Sequence, residues 1–524
     1  MIKFFSGFLL AITGFAAYSQ NAASTYARMV NADKLQQHLS VIAGAEMEGR
    51  ETGTEGQRKA AAYIENVFKT TGLSSPATLK GYQQYYPLHQ DSLTEVDFKM
   101  NDTKWEYGKD FIIPTSNAEG EFKGKRLVFA GYGISTDNYN DYANLDVKDK
   151  VVIMFTGEPK NNQVFLVSGT ERSSEWTYPG ISKKLALAAS KGAAGVLMVS
   201  PITATFSQRA VESSRKTNFY YPRPTEEKIL LYAMLSHDAA RNVLGANADT
   251  IIAMARTSRP FNASLLFDKD LKTKLEYKKK TNIVNASNVL GVVEGSDKKD
   301  EYVFVTGHYD HLGIRNGNIY YGADDDGSGT CAVITMAEAF AKAKANGHGP
   351  RRTMVFMTVS GEEKGLWGSE YYSDHPVYPL EKTTADLNID MIGRVDTERM
   401  MDDTLNYVYV VGHDKLSTEL PLINEAINKQ TTNMVLDYKF DDPTDKERIY
   451  FRSDHYNFAR KGVPVLFFYD GMLKADYHKP TDTIDKINFA LYEKRAKMIF
   501  YTAWEMANRD NMLVRDLPLP TMTR

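Results

Sequence analysis

The sequence is almost without cysteine, since Cys331 is the single one among its 524 residues. One thiol cannot form an internal disulfide, so stability must come from packing or from bound metal. Cys331 lies within an apolar helical pattern, and we interpret it as a small core residue. No cysteine stands directly after the apolar segment near the N-terminus, so we expect no bacterial lipoprotein anchor there.

The sequence also lacks an excess of charge of either sign. Its formal net charge is −3 and its pI about 6.4, and no basic stripe interleaved with aromatic residues interrupts this balance. Such a surface does not attract phosphate backbones, so we expect no nucleic acid partner. With 43% hydrophobic and 25% charged residues the composition is that of a globular protein, and the length exceeds that of one ordinary domain.

An apolar run near the N-terminus, Phe4 to Ala17, is too short to span a bilayer. Lys3 precedes this run, and Ala17-Tyr18-Ser19 matches the small-x-small pattern of a cleavage site. We therefore predict that residues 1–19 are a signal peptide. The mature protein would be exported to the periplasm or the medium, without a stable membrane anchor.

Apolar runs that are typical of buried strands alternate with helical patterns from residue 288 onward. The predicted strands are Asn288 to Val293, Tyr302 to Thr306, Thr353 to Val359, Asp386 to Ile392, Tyr407 to Val411 and Val463 to Phe468. The predicted helices are Thr330 to Ala345, Leu420 to Lys429 and Phe489 to Asn508. Strands that alternate with helices indicate an α/β fold with a mainly parallel, twisted sheet flanked by helices.

Residues 118–265 have a core pattern of their own and no cluster of potential ligands, which indicates an inserted, smaller domain. Residues 20–117 would then form the N-terminal part of the main domain, and residues 266–524 its C-terminal part. Arg50 lies in a glycine-rich turn between two helical segments of the N-terminal part. We expect this arginine to lie at the surface.

Polar clusters recur at the carboxyl ends of the predicted strands, where ligands bind in open α/β sheets. They are His308 with Asp310, Asp325 with Asp326, Glu362 with Glu363, Asp390, and His478. Nitrogen and carboxylate ligands without thiolates favour zinc over other metals, with manganese and cobalt as alternatives. Two histidines with several acids suffice for two ions, and two such ions can activate one water between them.

Some roles follow from the residue types alone. Asp310 stands two residues after His308, so it can accept the second ring N–H of that histidine and fix its tautomer. One carboxylate that is free of metal must act as general base. His311 and His455 could not be assigned, and the ligand chemistry by itself also allows a phosphoesterase.

Five segments resemble, in order, the signatures of the secreted di-zinc aminopeptidases, the twenty-eighth metallopeptidase family. They are Gly-His-Tyr-Asp-His-Leu-Gly from 307, Gly-Ala-Asp-Asp-Asp-Gly-Ser-Gly from 322, Ser-Gly-Glu-Glu-Lys-Gly-Leu from 360, Asn-Ile-Asp-Met-Ile-Gly from 388 and Tyr-His-Lys-Pro-Thr-Asp-Thr from 477. Residues 118–265 resemble, on weaker motifs, the protease-associated domain that is often inserted in that family. The resemblance disfavours the phosphoesterase.

The resemblance implies a role for each matched residue. His308, Asp325 and Asp390 would hold one zinc ion, and Asp325, Glu363 and His478 the other. Asp325 would bridge the two ions, and the Asp325–Asp326 peptide bond would be cis. Glu362 would be the general base, Asp310 the partner of His308, and Tyr477 a donor to the developing oxyanion. The segment Ser453-Asp454-His455 is similar to one that lines the substrate pocket of the family, with Asp454 and His455 as the candidate pocket residues.

The implied function is the release of N-terminal amino acids from peptide substrates by a hydroxide that bridges the two zinc ions. A carboxypeptidase or a dipeptidase on the same di-zinc core is the alternative among enzymes. A non-catalytic binding protein that uses the inserted domain is the alternative from another class. Such a protein need not keep the ligand set complete, whereas this sequence does.

Overall fold

The computed structural model describes residues 22–114, 118–178, 180–223 and 230–519. The chain divides into two compact units, one of Met1–Pro87 with Val284–Arg524 and one of Leu88–Ile283. The predicted signal peptide lies outside the described residues. The predicted insertion, residues 118–265, falls within the second unit, and its assignment as a protease-associated domain stays a prediction.

The larger unit is built on a twisted, mainly parallel sheet, which confirms the predicted α/β class. From one edge its strands are Val435–Asp437, Tyr407–Val411, Val465–Tyr469, Thr383–Ile389, Lys298–His308, Arg352–Val359 and the end of Phe267–Val293. The four inner strands from Val465–Tyr469 to Arg352–Val359 are mutually parallel. The strands Tyr407–Val411 and Phe267–Val293 run antiparallel to their inner neighbours.

Helices flank this sheet, some of them packed on the strands and others on neighbouring helices. The longer ones are Ala32–Ile42, Glu55–Thr70, Gly327–Ala345, Trp367–Asp374, Glu419–Gln430 and Phe489–Asn508, and the shorter helical segments are Ala45–Arg50, Glu362–Lys364, Leu380–Lys382, Ile449–Phe451, His455–Ala459 and Ile484–Lys486. Nearly every side chain of Gly327–Ala345 is buried, Cys331 among them, so this helix is central to the core. Its N-terminus is capped by Asp326, whose carboxylate accepts the N–H of Gly329 at 2.7 Å.

Arg50 does not lie at the surface as predicted, because its side chain is fully buried. Its guanidinium donates to four backbone oxygens, those of Ile42, Tyr309, Tyr321 and Gly322, at 2.6–2.9 Å. Burial lowers the pKa of this arginine. These hydrogen bonds connect the glycine-rich turn to the backbone just before and just after residues 310–320. This segment contributes to the candidate site.

The smaller unit has its own set of strands and its own core. Its strands, in sheet order, are the first part of Phe267–Val293, then Gly120–Phe129, Val151–Phe155, Gly195–Val199, Tyr232–Leu235 and Phe111–Ile112. Its helices are Ile181–Ser190, Gln208–Arg215, His237–Leu244 and Ala248–Arg256, and the long strand Gln83–Met100 begins in the larger unit. Among the described residues of the whole chain, no helix combines the length and apolarity needed to cross a membrane.

Candidate metal centre

Three of the five predicted ligands lie at or just after the carboxyl ends of three adjacent parallel strands. His308 is the last residue of Lys298–His308, Asp390 follows Thr383–Ile389, and Glu363 follows Arg352–Val359 after a short turn. Gly361 adopts a φ of 81°, in the left-handed region, at this turn. Because parallel strands end at the same edge of the sheet, residues far apart in sequence meet in one crevice.

One group of ligand atoms surrounds Nε2 of His308. Oδ1 of Asp325 lies 3.3 Å from this nitrogen, and Oδ1 of Asp390 lies 3.5 Å from it. His308 and Asp325 are buried, and only an edge of Asp390 reaches the solvent. These three atoms correspond to the first predicted ligand set.

A second group surrounds Nε2 of His478. Oδ2 of Asp325 lies 3.1 Å from this nitrogen, and Oε2 of Glu363 lies 3.0 Å from it. The two carboxylate oxygens of Asp325 therefore face two different histidines. The Asp325–Asp326 peptide bond is cis, as predicted.

The buried atoms of these two groups fit divalent cations. Nε2 of His308 and Oδ2 of Asp325 make no hydrogen bond of regular geometry among the described residues, although each has an ionisable neighbour at 3.1–3.3 Å and buried polar atoms are nearly always paired. Oxygen and nitrogen donors without sulfur suit zinc. Asp326 is not a ligand candidate, because its oxygens accept the N–H groups of Gly329, His308 and Met391.

In the protein without a bound cation, the neighbouring carboxylates determine the pKa values of the two histidines. Burial acts to lower the pKa of His308, but the carboxylates of Asp390 and Glu362 outweigh it and hold that pKa well above its ordinary value. His478 behaves likewise, because its contacts with Asp325 and Glu363 overcome burial and raise its pKa to about 10. Positive imidazolium rings thus balance the carboxylates where cations would do so.

Glu362 and Glu363 are adjacent but face different surroundings. Glu362 lines the open cleft beside the ligands, whereas only 3% of the Glu363 side chain is exposed. Burial raises the pKa of Glu362 well above its ordinary value, reinforced by Asp390 and opposed by His308. The pKa of Glu363 is lowered to about 2, since its contacts with His311 and His478 outweigh burial and the charge of Asp325. Glu362 is therefore suited to accept a proton, and Glu363 to remain an anion.

Asp310 holds His308 differently from the prediction. Nδ1 of His308 lies 3.1 Å from the backbone oxygen of Asp310, whereas the nearest carboxylate oxygen is 3.7 Å away. The carboxylate of Asp310 instead accepts the hydroxyl of Thr52 at 2.5 Å and the N–H of Glu362 at 3.3 Å. The same residue thus fixes the imidazole through its carbonyl and the glutamate turn through its side chain.

Further side chains orient the ligands. The hydroxyl of Ser453 donates to Oδ2 of Asp390 at 2.7 Å, which leaves Oδ1 of Asp390 directed at His308. The carboxylate of Asp482 accepts the backbone N–H groups of Asp324 and Asp325 at 3.1–3.2 Å. Such outer contacts fix a ligand before any metal is present.

The two predicted pocket residues do not line the cleft. Asp454 is buried and accepts the hydroxyl of Ser369, and His455 is fully buried with its ring stacked on Phe467 at a centroid distance of 4.7 Å. Burial lowers the pKa of His455 to about 3, so its ring is neutral. The short helix that begins at His455 turns both side chains inward, so that of the predicted segment Ser453 lines the cleft, next to Arg452.

Tyr477 does lie on the cleft, as the assigned role requires. Its ring stacks on that of His478 at a centroid distance of 3.9 Å, and its hydroxyl is 3.3 Å from Nη2 of Arg452. Burial raises the pKa of Tyr477, and the nearby charges of Asp325 and Glu362 raise it further. Tyr477 is therefore a protonated donor at neutral pH.

A third group of potential ligands, His413, Asp414 and Asp441, lies apart from this centre. Its carboxylates are already engaged, because Lys415 contacts both acids and the N–H of Gly412 donates to Asp441. Lys415 beside the group supplies the positive charge that a cation would bring. This cluster is a hydrogen-bonded ion-pair network.

Part of the chain is similar to known peptidases. Residues 288–503 match the sequence profile of Peptidase family M28. A probable leucine aminopeptidase of Arthroderma otae is 29% identical over 216 residues, which are 40% of this chain and 55% of that protein. A probable zinc metalloprotease of Pyrenophora tritici-repentis is 33% identical over 140 residues, which are 26% of this chain and 28% of that protein.

The chain thus spans about half the length of the leucine aminopeptidase it matches. Among solved structures, an aminopeptidase from Aneurinibacillus sp. aligns over 95% of this chain and 100% of its own, with a TM-score of 0.51 and 18% identity. At this identity the alignment shows a common fold.

Proposed function

We propose that this protein is an exported aminopeptidase that works with two zinc ions, since residues 288–503 match the profile of Peptidase family M28. One observation carries the proposal. The two oxygens of Asp325 face Nε2 of His308 at 3.3 Å and Nε2 of His478 at 3.1 Å, each beside a second carboxylate. This is the arrangement that a carboxylate shared by two cations needs.

His308, Asp325 and Asp390 would hold one ion, and Asp325, Glu363 and His478 the other. When bound, the ions would lower the pKa of a shared water to yield hydroxide and would polarise the peptide carbonyl. Glu362 lines the cleft and would take the proton of the attacking water. The same side chain would deliver that proton to the leaving amine.

Tyr477 would donate to the carbonyl oxygen as negative charge develops on it. Its hydroxyl can reach substrate because the ring lies on the cleft wall, with His478 stacked beneath it. The Ser453 contact would keep Asp390 in place through the reaction. These groups are held by packing and hydrogen bonds before substrate arrives, so little reorganisation is needed.

Three matched dipeptide substrates test the proposal against its alternatives. Leu-Leu-amide offers only a free N-terminus, acetyl-Leu-Leu only a free C-terminus, and Leu-Leu both. An aminopeptidase cleaves the first and third and leaves the second intact, and a chelator abolishes both reactions. Cleavage of acetyl-Leu-Leu alone would indicate a carboxypeptidase, and cleavage of Leu-Leu alone a dipeptidase.

Export is a separate part of the proposal, since it rests on residues 1–19 alone. Mass spectrometry of the protein recovered from the periplasm or medium should give an N-terminus that starts at Gln20. An intact N-terminus on cell-retained protein would contradict it.

A further inference from the structure

The cleft beside the candidate metal centre has polar and apolar walls and contains one cationic side chain. Its volume is about 350 Å³, counting the solvent at its mouth, and its walls include Met391, Ile449, Phe467 and Leu473. Among the described residues that line it, Arg452 is the single basic one. The apolar part of the wall would suit a neutral side chain, whereas the arginine adds a positive charge that a neutral side chain does not use.

Arg452 has no carboxylate partner that matches its geometry. Nη2 lies 3.3 Å from the hydroxyl of Tyr477, and Nη1 lies 3.4 Å from the backbone oxygen of Glu447. The carboxylate of Glu447 is 3.7 Å away and about half exposed. A guanidinium binds a carboxylate best through two parallel N–H bonds, and none of these contacts has that form.

A second polar group on the same cleft also lacks a partner. Tyr469 ends the strand Val465–Tyr469 and is 3% exposed, and its hydroxyl makes no hydrogen bond within the described part of the chain. Burial raises the pKa of Tyr469 well above its usual value, so the hydroxyl keeps its proton. A buried donor without an acceptor is costly, and an acceptor on a ligand would remove that cost.

From these two groups we infer that Arg452 and Tyr469 bind a second carboxylate of the substrate, so that the enzyme prefers peptides with a negative charge next to the scissile bond. The inference rests on the proposed function and refines its substrate class. The carboxylate has two sources, the side chain of an N-terminal glutamate or aspartate and the α-carboxylate of a dipeptide. The acids at the floor of the cleft, Asp325, Glu362 and Asp390, oppose such a substrate, so the preference belongs to the zinc-loaded protein.

Pairs of substrates that differ only in a carboxylate and the matching amide test the effect of the negative charge. Glu-p-nitroanilide and Gln-p-nitroanilide test the side chain, and Leu-Leu and Leu-Leu-amide test the α-carboxylate. We expect the charged member of one pair to have the higher kcat/KM, by about ten- to a hundredfold, since a charge-assisted hydrogen bond in a cleft is worth that much. Equal kcat/KM values within both pairs would overturn the inference.

Variants then identify the groups responsible. Arg452→Met should remove the preference for the charged member, Arg452→Lys should retain part of it, and Tyr469→Phe should reduce it. Arg460→Met is the matched control, since Arg460 contacts Ser373 and Asp374 and does not line the cleft. If Arg452→Met slowed charged and neutral substrates equally, Arg452 would act only by holding Tyr477, and the inference would be wrong.

A binding measurement separates this inference from the proposed function. Calorimetry of the zinc-loaded protein with glutamate and with glutamine, and with Leu-Leu and its amide where turnover is absent, needs no catalysis. If no peptide is hydrolysed, the proposed function fails, and tighter binding of a charged ligand that is lost in Arg452→Met still supports the carboxylate site. Equal binding within both pairs would overturn it.

Discussion

Nδ1 of His311 lies 2.7 Å from Oε1 of Glu363, while Oε2 of the same carboxylate lies 3.0 Å from Nε2 of His478. The ring of His311 is fully buried, and Gly322 closes against it, since a Cβ at that glycine would come within 2.5 Å of the ring. His311 therefore fixes which oxygen of Glu363 is presented to the second ligand group. The sequence had left this histidine unassigned.

Replacing His311 should weaken one metal site and spare the other. Outer partners of metal ligands contribute about 10–100-fold to metal affinity, so His311→Ala should lower the affinity for one zinc ion by that factor. His311→Gln, which retains a donor, should lose less. Competition with a chromophoric chelator measures both affinities, and an unchanged pair of affinities in His311→Ala would refute the role.

Exchanging either glutamate for glutamine should have distinct consequences. Glu362→Gln cannot accept a proton, so kcat should fall by about 10²–10⁴-fold with little change in KM and with both metals retained. Glu363→Gln should instead bind one zinc ion more weakly. The two variants control for each other, because charge and size change equally. If Glu362→Gln lost a metal while Glu363→Gln stayed loaded but inactive, the roles would be reversed.

Zinc binding should release protons at neutral pH. The pKa of His478 is raised to about 10 without metal, so its ring is protonated at pH 7.5, and the pKa of His308 is raised as well, yet zinc needs the neutral form of both rings. Titration calorimetry in two buffers of different ionisation enthalpy should show a net release of about one proton or more. The same heat in both buffers would contradict this.

The raised pKa of His478 also predicts the pH dependence of the metal-free protein. The stabilisation from its ion pairs is fully present below the ordinary pKa of 6.5 and is lost as the pH rises through about 10. The unfolding free energy of the metal-free protein should therefore decline over this range, and that of the zinc-loaded protein should not follow it. Urea titrations at pH 6.5 and 9.5 compare the two.

Arg50→Met should destabilise the fold itself. It leaves four backbone oxygens without their donor, two of them in the loop before Asp324, so we expect a loss of about 3 kcal/mol or more. Arg58→Met is a suitable control, because Arg58 pairs only with the exposed Glu55 and backbone nearby. Urea unfolding measures both variants. A change below about 1 kcal/mol for Arg50→Met would contradict its structural role.

The sequence predicted those features that depend on local pattern. The strands at 302–306, 353–359 and 407–411 and the helix Phe489–Asn508 lie where the apolar periodicity placed them. His308, Glu363 and Asp390 were found because they lie at or just after the ends of such strands, whereas Asp325 and His478 lie further along the chain and were found as parts of polar clusters. Parallel strands bring their ends together whatever the sequence distance between them, so the location of the centre followed from the fold class.

The features that the sequence did not predict depend on tertiary contacts. The hydrogen-bond partners of Arg50 are backbone oxygens of residues 42, 309, 321 and 322, and the sequence around Arg50 does not indicate them. Asp454 and His455 were placed on the pocket by resemblance, but the helix that begins at His455 turns them inward. Asp310 binds His308 through its carbonyl, a group that every residue carries and that no pattern distinguishes.

The central claim is that two zinc ions act together on peptide N-termini, and zinc titration of the stripped protein tests it most directly. Hydrolysis of Leu-Leu-amide would be followed as zinc is added to chelator-treated protein of known concentration. We predict that the rate reaches its maximum at two equivalents of zinc, with Glu362→Gln binding the same two equivalents without turnover. Full activity at one equivalent, with no gain from the second, would contradict the account.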